Sequence, residues 1–119
     1  MPYVFDNQTP IFIQIMEAIK TEIISGKYKA GQKLPSVRDF AIQFDANPNT
    51  VQKALFELEN MGLIVTERTS GKFVTSDEKV ILSARLSKVD KIVEDFFSSM
   101  AKIGIDRTEA EKLLNNKEN

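Results

Sequence analysis

Two helical patterns separated by only two residues place the tightest limit on how this chain can fold. From Ser36 to Phe44, the apolar residues Val37, Phe40, Ala41 and Phe44 recur at helical spacing. Ser36 stands at the N-cap and Asp39 three positions on, a weak version of the reciprocal capping box. Asp45-Ala46 makes a tight connection. Asn47 then caps a further helix, with Pro48 at its first position, where a missing N–H costs nothing. Val51, Ala54, Leu55, Leu58 and Met61 line its inner side, and Gly62 ends it. Two helices joined by so short a turn are a helix-turn-helix candidate.

The flanking segments complete a known architecture. Pro10 to Ser25 reads as a preceding helix, with Thr9 as N-cap, Pro10 at the first helical position and Ile11, Ile15, Ala18, Ile19 and Ile23 on its inner side. Lys27 to Leu34, containing Gly31, reads as a turn region. After Gly62, the segments Leu63 to Arg68 and Lys72 to Thr75 are rich in strand formers, and Thr69-Ser70-Gly71 supplies a turn between them. A hairpin directly after a helix-turn-helix makes a winged helix. The expected fold class is therefore mainly α with a small β-hairpin. Residues 1–76 form a winged helix-turn-helix and residues 77–119 a C-terminal helical dimerisation segment.

That last segment carries its own signal. Leu82, Leu86, Val89, Val93, Phe96, Met100 and Ile103 are spaced 4, 3, 4, 3, 4, 3, with Ile92 and Phe97 widening the stripe. A helix from Asp77 to Ile103 would run about 40 Å at ~1.5 Å per residue. An amphipathic helix ordinarily buries its stripe against its own domain, but this one outruns a small winged helix. Homodimerisation through these seven residues is the reading adopted. Gly104 ends the helix, Asp106 to Asn115 forms a short final one, and the polar tail Asn115–Asn119 is expected to fray.

Composition removes whole classes of chemistry. The 119 residues include no cysteine and no histidine. Disulfides and thiolate metal sites are excluded, and so are the commonest general base and zinc ligand. Glu57, Glu59, Glu94 and Asp95 read as solvated helix faces, so an enzyme is a poor reading and no cofactor is implied. The opening Met1-Pro-Tyr-Val-Phe-Asp-Asn-Gln8 lacks a basic leader, and no apolar run approaches the ~18 residues of a membrane span. A cytoplasmic protein with no membrane partner is expected. The net charge of -1 hides a pattern: residues 1–26 carry -2, residues 27–75 carry +2, and residues 76–119 carry -1. The mildly basic middle permits a nucleic-acid partner without requiring one.

The helix after Asn47 gives that partner a chemistry. With residues set 100° apart, Asn49, Gln52, Lys53, Phe56 and Asn60 fall opposite Val51, Leu55 and Leu58. Asparagine and glutamine donate and accept together, which suits adenine edges in the major groove. Thr50 can bond a phosphate or touch a thymine methyl, and the first-turn N–H groups can hold a phosphate. Taken singly these residues are unremarked: Asn47 is a cap, Pro48 starts a helix, and Gln52 and Lys53 are ordinary solvated residues. Only the turn, the polar first turn and the following hairpin together point to DNA.

At this point the residues resemble a family. Gly31-Gln-Lys-Leu-Pro-Ser-Val-Arg38, then Phe40-Ala41, Asn47-Pro-Asn-Thr-Val-Gln-Lys-Ala54 and Leu58-Glu-Asn-Met-Gly-Leu63 closely resemble the N-terminal DNA-binding domain of GntR-family bacterial transcription regulators. The match covers roughly Pro10 to Val74. The short tail is similar to the YtrA-like subfamily, which implies a small dimer that pairs through C-terminal helices and binds a palindromic double-stranded DNA operator, often in a transporter operon. By position the resemblance assigns DNA contacts to Ser36 and Arg38, to Asn47, Asn49, Thr50, Gln52 and Lys53, and to the wing residues Ser70, Gly71 and Lys72. Three departures stand out. The usual wing, Gly-x-Gly-Thr-x-Val, is Thr69-Ser-Gly-Lys-Phe-Val74 here. Asp45 stands where glycine is common. Phe56 puts an aromatic opposite the core.

Two functions compete: a dimeric, sequence-specific transcription regulator acting as a repressor, and a winged-helix module that binds protein without reading DNA. The sequence names no small-molecule effector. With so short a tail, a ligand site would lie between the wing domain and the C-terminal helices or at the dimer seam.

Overall fold

The protein was analysed as a computed structural model that describes residues 3–117. Met1 and Pro2 of the leader reading, and Glu118 and Asn119 of the expected frayed tail, lie outside the described residues. Five helices and two strands follow in the order α1 (Ile11–Ile24), α2 (Val37–Phe44), α3 (Pro48–Asn60), β1 (Ile64–Glu67), β2 (Gly71–Val74), α4 (Glu78–Lys102) and α5 (Arg107–Lys117). They divide into two compact units, residues 1–84 and 85–119.

In the first unit the three helices close on one core. Ile15, Ile19 and Ile23 of α1 meet Phe40 and Phe44 of α2 and Val51, Leu55 and Leu58 of α3, all essentially without solvent contact. The Phe40 and Phe44 rings stack at 6.2 Å. Burying each such side chain contributes roughly 1.5–3 kcal/mol. Two expected core residues are outside it: Ile11 and Met61, at the ends of their helices, are exposed. The reason is geometric, since a helix end overhangs the partner that its middle packs against.

The start of α1 also differs from expectation. Pro10, not Thr9, holds the N-cap position, and no side chain caps the helix. Instead the buried Gln14 carboxamide reaches back. It accepts from the Asp6 N–H at 3.0 Å and donates to the carbonyls of Asp6 at 3.0 Å and Thr9 at 2.7 Å. A long amide thus ties down the segment that a cap would have ordered locally. Tyr3 adds an edge-on contact with the Phe44 ring.

β1 and β2 pair antiparallel, with Ile64 opposite Val74 and Glu67 opposite Gly71. The turn is therefore Arg68–Ser70. Gly71 belongs to β2, at φ +110°, a conformation that only glycine adopts readily. The stretch expected to be mere turn before α2 joins this hairpin. Lys33 bridges to Phe73, the Leu34 N–H donates to the Lys72 carbonyl at 2.8 Å, and the Val74 N–H donates to the Gln32 carbonyl at 2.9 Å. Pro35 follows at once and removes the next donor, so the pairing is too short to show a sequence alternation.

The first unit reaches past the boundary expected at residue 76. Ile81 of the first turn and a half of α4 sits in its core, with Val80 and Ala84 packed beside it.

In the second unit, α4 runs on to Lys102, and Gly104 at φ +85° precedes α5. The Asp106 carboxylate caps α5 by accepting from the Glu109 N–H at 2.9 Å. Asn115–Lys117, expected to fray, are helical. Arg107 fastens α5 to α4: its guanidinium bonds Glu94 at 2.9 Å and lies 4.0 Å from the Phe97 ring centroid. Ala110 is fully buried.

Candidate nucleic-acid interface

The helix-turn-helix is built by local chemistry at each joint. The Ser36 hydroxyl accepts from the Asp39 N–H at 3.1 Å, and the Asp39 carboxylate accepts from the Ser36 N–H at 3.4 Å, completing the capping box. Between the helices Asp45 adopts the left-handed conformation, φ +50° and ψ +51°. This turns the chain so that the Ala46 N–H reaches back to the Ala41 carbonyl at 3.0 Å. Asn47 then caps α3, its side-chain oxygen accepting from the Asn49 N–H at 2.8 Å.

The inner face of α3 is anchored by Val51, Ala54, Leu55 and Leu58, all fully buried. The opposite face is therefore fixed in direction. It presents Asn49, Gln52, Lys53 and Phe56 to solvent, with Thr50 half-buried beside them. The side chains of Asn49, Gln52 and Arg38 have no hydrogen-bond partner among the described residues, so their donors and acceptors are free for a ligand. Arg38 is exposed in the first turn of α2, where a cation is mildly unfavourable against the helix dipole. Asn47 differs: its oxygen is committed to the cap, leaving the amide N–H groups. The Ser36 oxygen is likewise committed as an acceptor, but its hydroxyl can still donate.

The wing carries Ser70 and Gly71 exposed at its tip. Lys72 is half-buried, and its ammonium bonds the Thr66 hydroxyl across the hairpin at 2.9 Å. Lys72 thus braces the hairpin where the usual threonine is replaced. All ten residues expected to touch DNA lie in the first unit. Of the seven expected at a dimer seam, six lie along α4, and Ile103 falls just past its end at Lys102. Leu82, Leu86, Val89, Val93 and Ile103 are exposed, and Phe96 and Met100 are half-buried.

Two residues escaped sequence reasoning. Lys33 lies on the segment bridged to β2, its side chain 3.4 Å from where a Cβ on Gly71 would stand. Phe12 of α1 lies under Lys53, whose Nζ is 4.1 Å from the ring centroid. Both contacts join distant segments, and no local spacing encodes them. Away from the site, burial and then the Glu22 carboxylate push the Tyr28 phenol above its usual range, keeping it protonated.

A shallow cavity of about 270 Å³ by the hairpin is lined by Gly31, Val65, Glu67, Phe73, Val74 and Ser76. Among the described residues no group of three or more carboxylates is gathered as a metal site, and no helix is long and apolar enough to cross a membrane.

A capped helix-turn-helix, an outward polar face on its second helix and a following hairpin define a winged-helix DNA-binding protein. The family described as bacterial regulatory proteins, gntR family, matches residues 13–74, and the chain belongs to that family. It is 45% identical over 76 residues to the HTH-type transcriptional repressor YtrA of Bacillus subtilis (strain 168), covering 64% of this chain and 58% of that one. A GntR family transcriptional regulator from Listeria monocytogenes superimposes with a TM-score of 0.86 at 38% identity, covering 94% of this chain and 98% of the other. The crystal structure of AraR(DBD) in complex with operator ORX1 matches with a TM-score of 0.56 at 28% identity, over 63% of this chain and 90% of that one. The chain is thus a DNA-binding transcription regulator and not an enzyme.

Proposed function

We propose that this protein is a homodimeric repressor that reads a palindromic operator with α3. The observation that carries this is the two-faced character of α3. One side is locked into the core by Val51, Leu55 and Leu58, and the other holds Asn49 and Gln52, whose side chains have no hydrogen-bond partner among the described residues. Side-chain amides pair bidentately with adenine, each good pair giving about 1–3 kcal/mol of base discrimination. Arg38, Ser36, Asn47, Thr50 and Lys53 supply backbone contacts that fix the register. Ser70, Gly71 and Lys72 approach the neighbouring groove, and Lys72 does so from its bond to Thr66.

One winged helix spans too few base pairs to select a site in a genome. The exposed α4 stripe supplies the second copy. A two-fold axis through it presents two α3 helices to one face of DNA, with half-sites ~34 Å apart or a multiple of that. The similarity to the transcriptional repressor YtrA supports repression. Control of a transporter operon rests on the subfamily resemblance of the short tail alone. The test is a mobility shift on the protein's own promoter region across a salt series, followed by selection of bound sequences from a random pool. A salt-dependent shift and a recovered palindrome are expected. A protein that shifts no DNA at ~0.05 M salt is instead a winged-helix protein-interaction module.

A further inference from the structure

Lys53 is placed by α1. Its ammonium stands 4.1 Å from the centre of the Phe12 ring, and α1 and α3 pack together through the core. No ion pair or hydrogen bond takes Lys53 among the described residues. Phe12 is half-buried in the opening turn of α1, beside the exposed Ile11, where core packing does not demand an aromatic.

A ring face attracts a cation without saturating it. An ammonium has three donors, and the ring occupies one side of it. That leaves donors for a ligand, and Lys53 is exposed on the same α3 face as Asn49 and Gln52. A free lysine loses rotamer freedom when it meets a ligand. A lysine already resting on a ring has lost much of that freedom beforehand. Lysine acts on phosphate as a point charge, with no preference for base sequence.

We propose that Phe12 is a positioning residue for DNA binding, holding the Lys53 ammonium over its ring so that it is pre-ordered toward a backbone phosphate. This rests on the reading of α3 as the DNA-reading helix. It adds a residue from outside the helix-turn-helix that supports the backbone contact of Lys53.

A double-mutant cycle on the full chain, with operator and random duplexes as probes, tests it. Lys53→Met should weaken both duplexes alike and reduce the salt slope of log K by about 0.9, the share of one phosphate. Phe12→Leu keeps an apolar side chain and removes the ring. It should weaken both duplexes by about three- to tenfold, the cost of ordering one long side chain on contact. In the Lys53→Met background Phe12→Leu should change nothing, and Phe12→Tyr should bind as wild type does. Phe12→Met carries the same expectations should the leucine variant fail to fold. Equal loss from Phe12→Leu in both backgrounds would assign Phe12 a purely structural role and overturn the inference. So would unchanged binding by Phe12→Leu or by Lys53→Met. A wild type that binds no DNA removes the parent reading as well. A wild type that binds while Phe12→Leu is silent removes this inference alone.

Discussion

The two units use the same apolar residue types to opposite ends. In residues 1–84, Ile, Leu, Val and Phe converge from three helices and a hairpin, and eleven of the largest side chains have less than 2% of their surface exposed. In residues 85–119, the same types line one face of α4, and Leu86, Val89, Ile92, Val93 and Ile103 remain 41–71% exposed. The difference lies in geometry rather than hydrophobicity. Helices that cross at angles can surround a common centre. A long stripe at heptad spacing along one helix has no centre, and with α5 fastened by Arg107 to Glu94 most of it is still exposed. The first pattern folds a chain on itself; the second is the pattern that we propose pairs with another chain.

That contrast breaks most directly at α4. Val93→Asp together with Phe96→Asp should place charge in the seam. The expected result is a monomer by sedimentation and at least a thousandfold loss of operator affinity, the span between specific and non-specific binding. The far-ultraviolet dichroism should still show a folded winged helix. If the double variant stays monomeric yet holds the full operator as tightly as wild type, the stripe has no role in DNA binding.

The same truncation in each unit sharpens the comparison. Leu58→Ala should lower unfolding stability in urea by about 2–5 kcal/mol, through lost burial and a cavity. Leu86→Ala should leave the winged helix within ~0.5 kcal/mol, because Leu86 is exposed and not part of that unit's core. Its effect should appear instead as a stronger dependence of melting temperature on protein concentration. Similar losses in both urea titrations would show that the units do not divide the labour this way.

Within the first unit, core and reading face should separate too. Asn49→Ala is expected to weaken operator binding by about 1–3 kcal/mol while affinity for random DNA and the dichroism spectrum hold. Equal loss on both duplexes would make Asn49 a backbone contact. Arg38→Ala should weaken binding to both duplexes at ~0.15 M salt without lowering thermal stability, since its side chain bonds no other described residue.

The smallest effect lies in the turn. Asp45 holds a left-handed conformation that glycine adopts without strain. Asp45→Gly should raise stability by about 0.5 kcal/mol, the relief of strain exceeding the added freedom of the unfolded chain. A drop in melting temperature would mean that the Asp45 side chain contributes something the backbone geometry does not reveal.

The sequence by itself determined the features that depend on near neighbours. The Ser36–Asp39 box, the Asn47 cap before Pro48 and the helical spacing of Val51, Leu55 and Leu58 all lie within one or two turns of chain. The outward face of α3 followed from that spacing, and with it Asn49, Gln52 and Lys53. What only the tertiary structure decided joins distant segments. Gln14 reaches back to Asp6 in place of a Thr9 cap, Lys33 adds a bridge to the hairpin, and Ile81 draws the start of α4 into the core. Phe12 comes to lie beneath Lys53, 41 positions along the chain. Such pairs leave no periodicity to read, because a contact between remote residues is set by how helices pack and not by the spacing within either one.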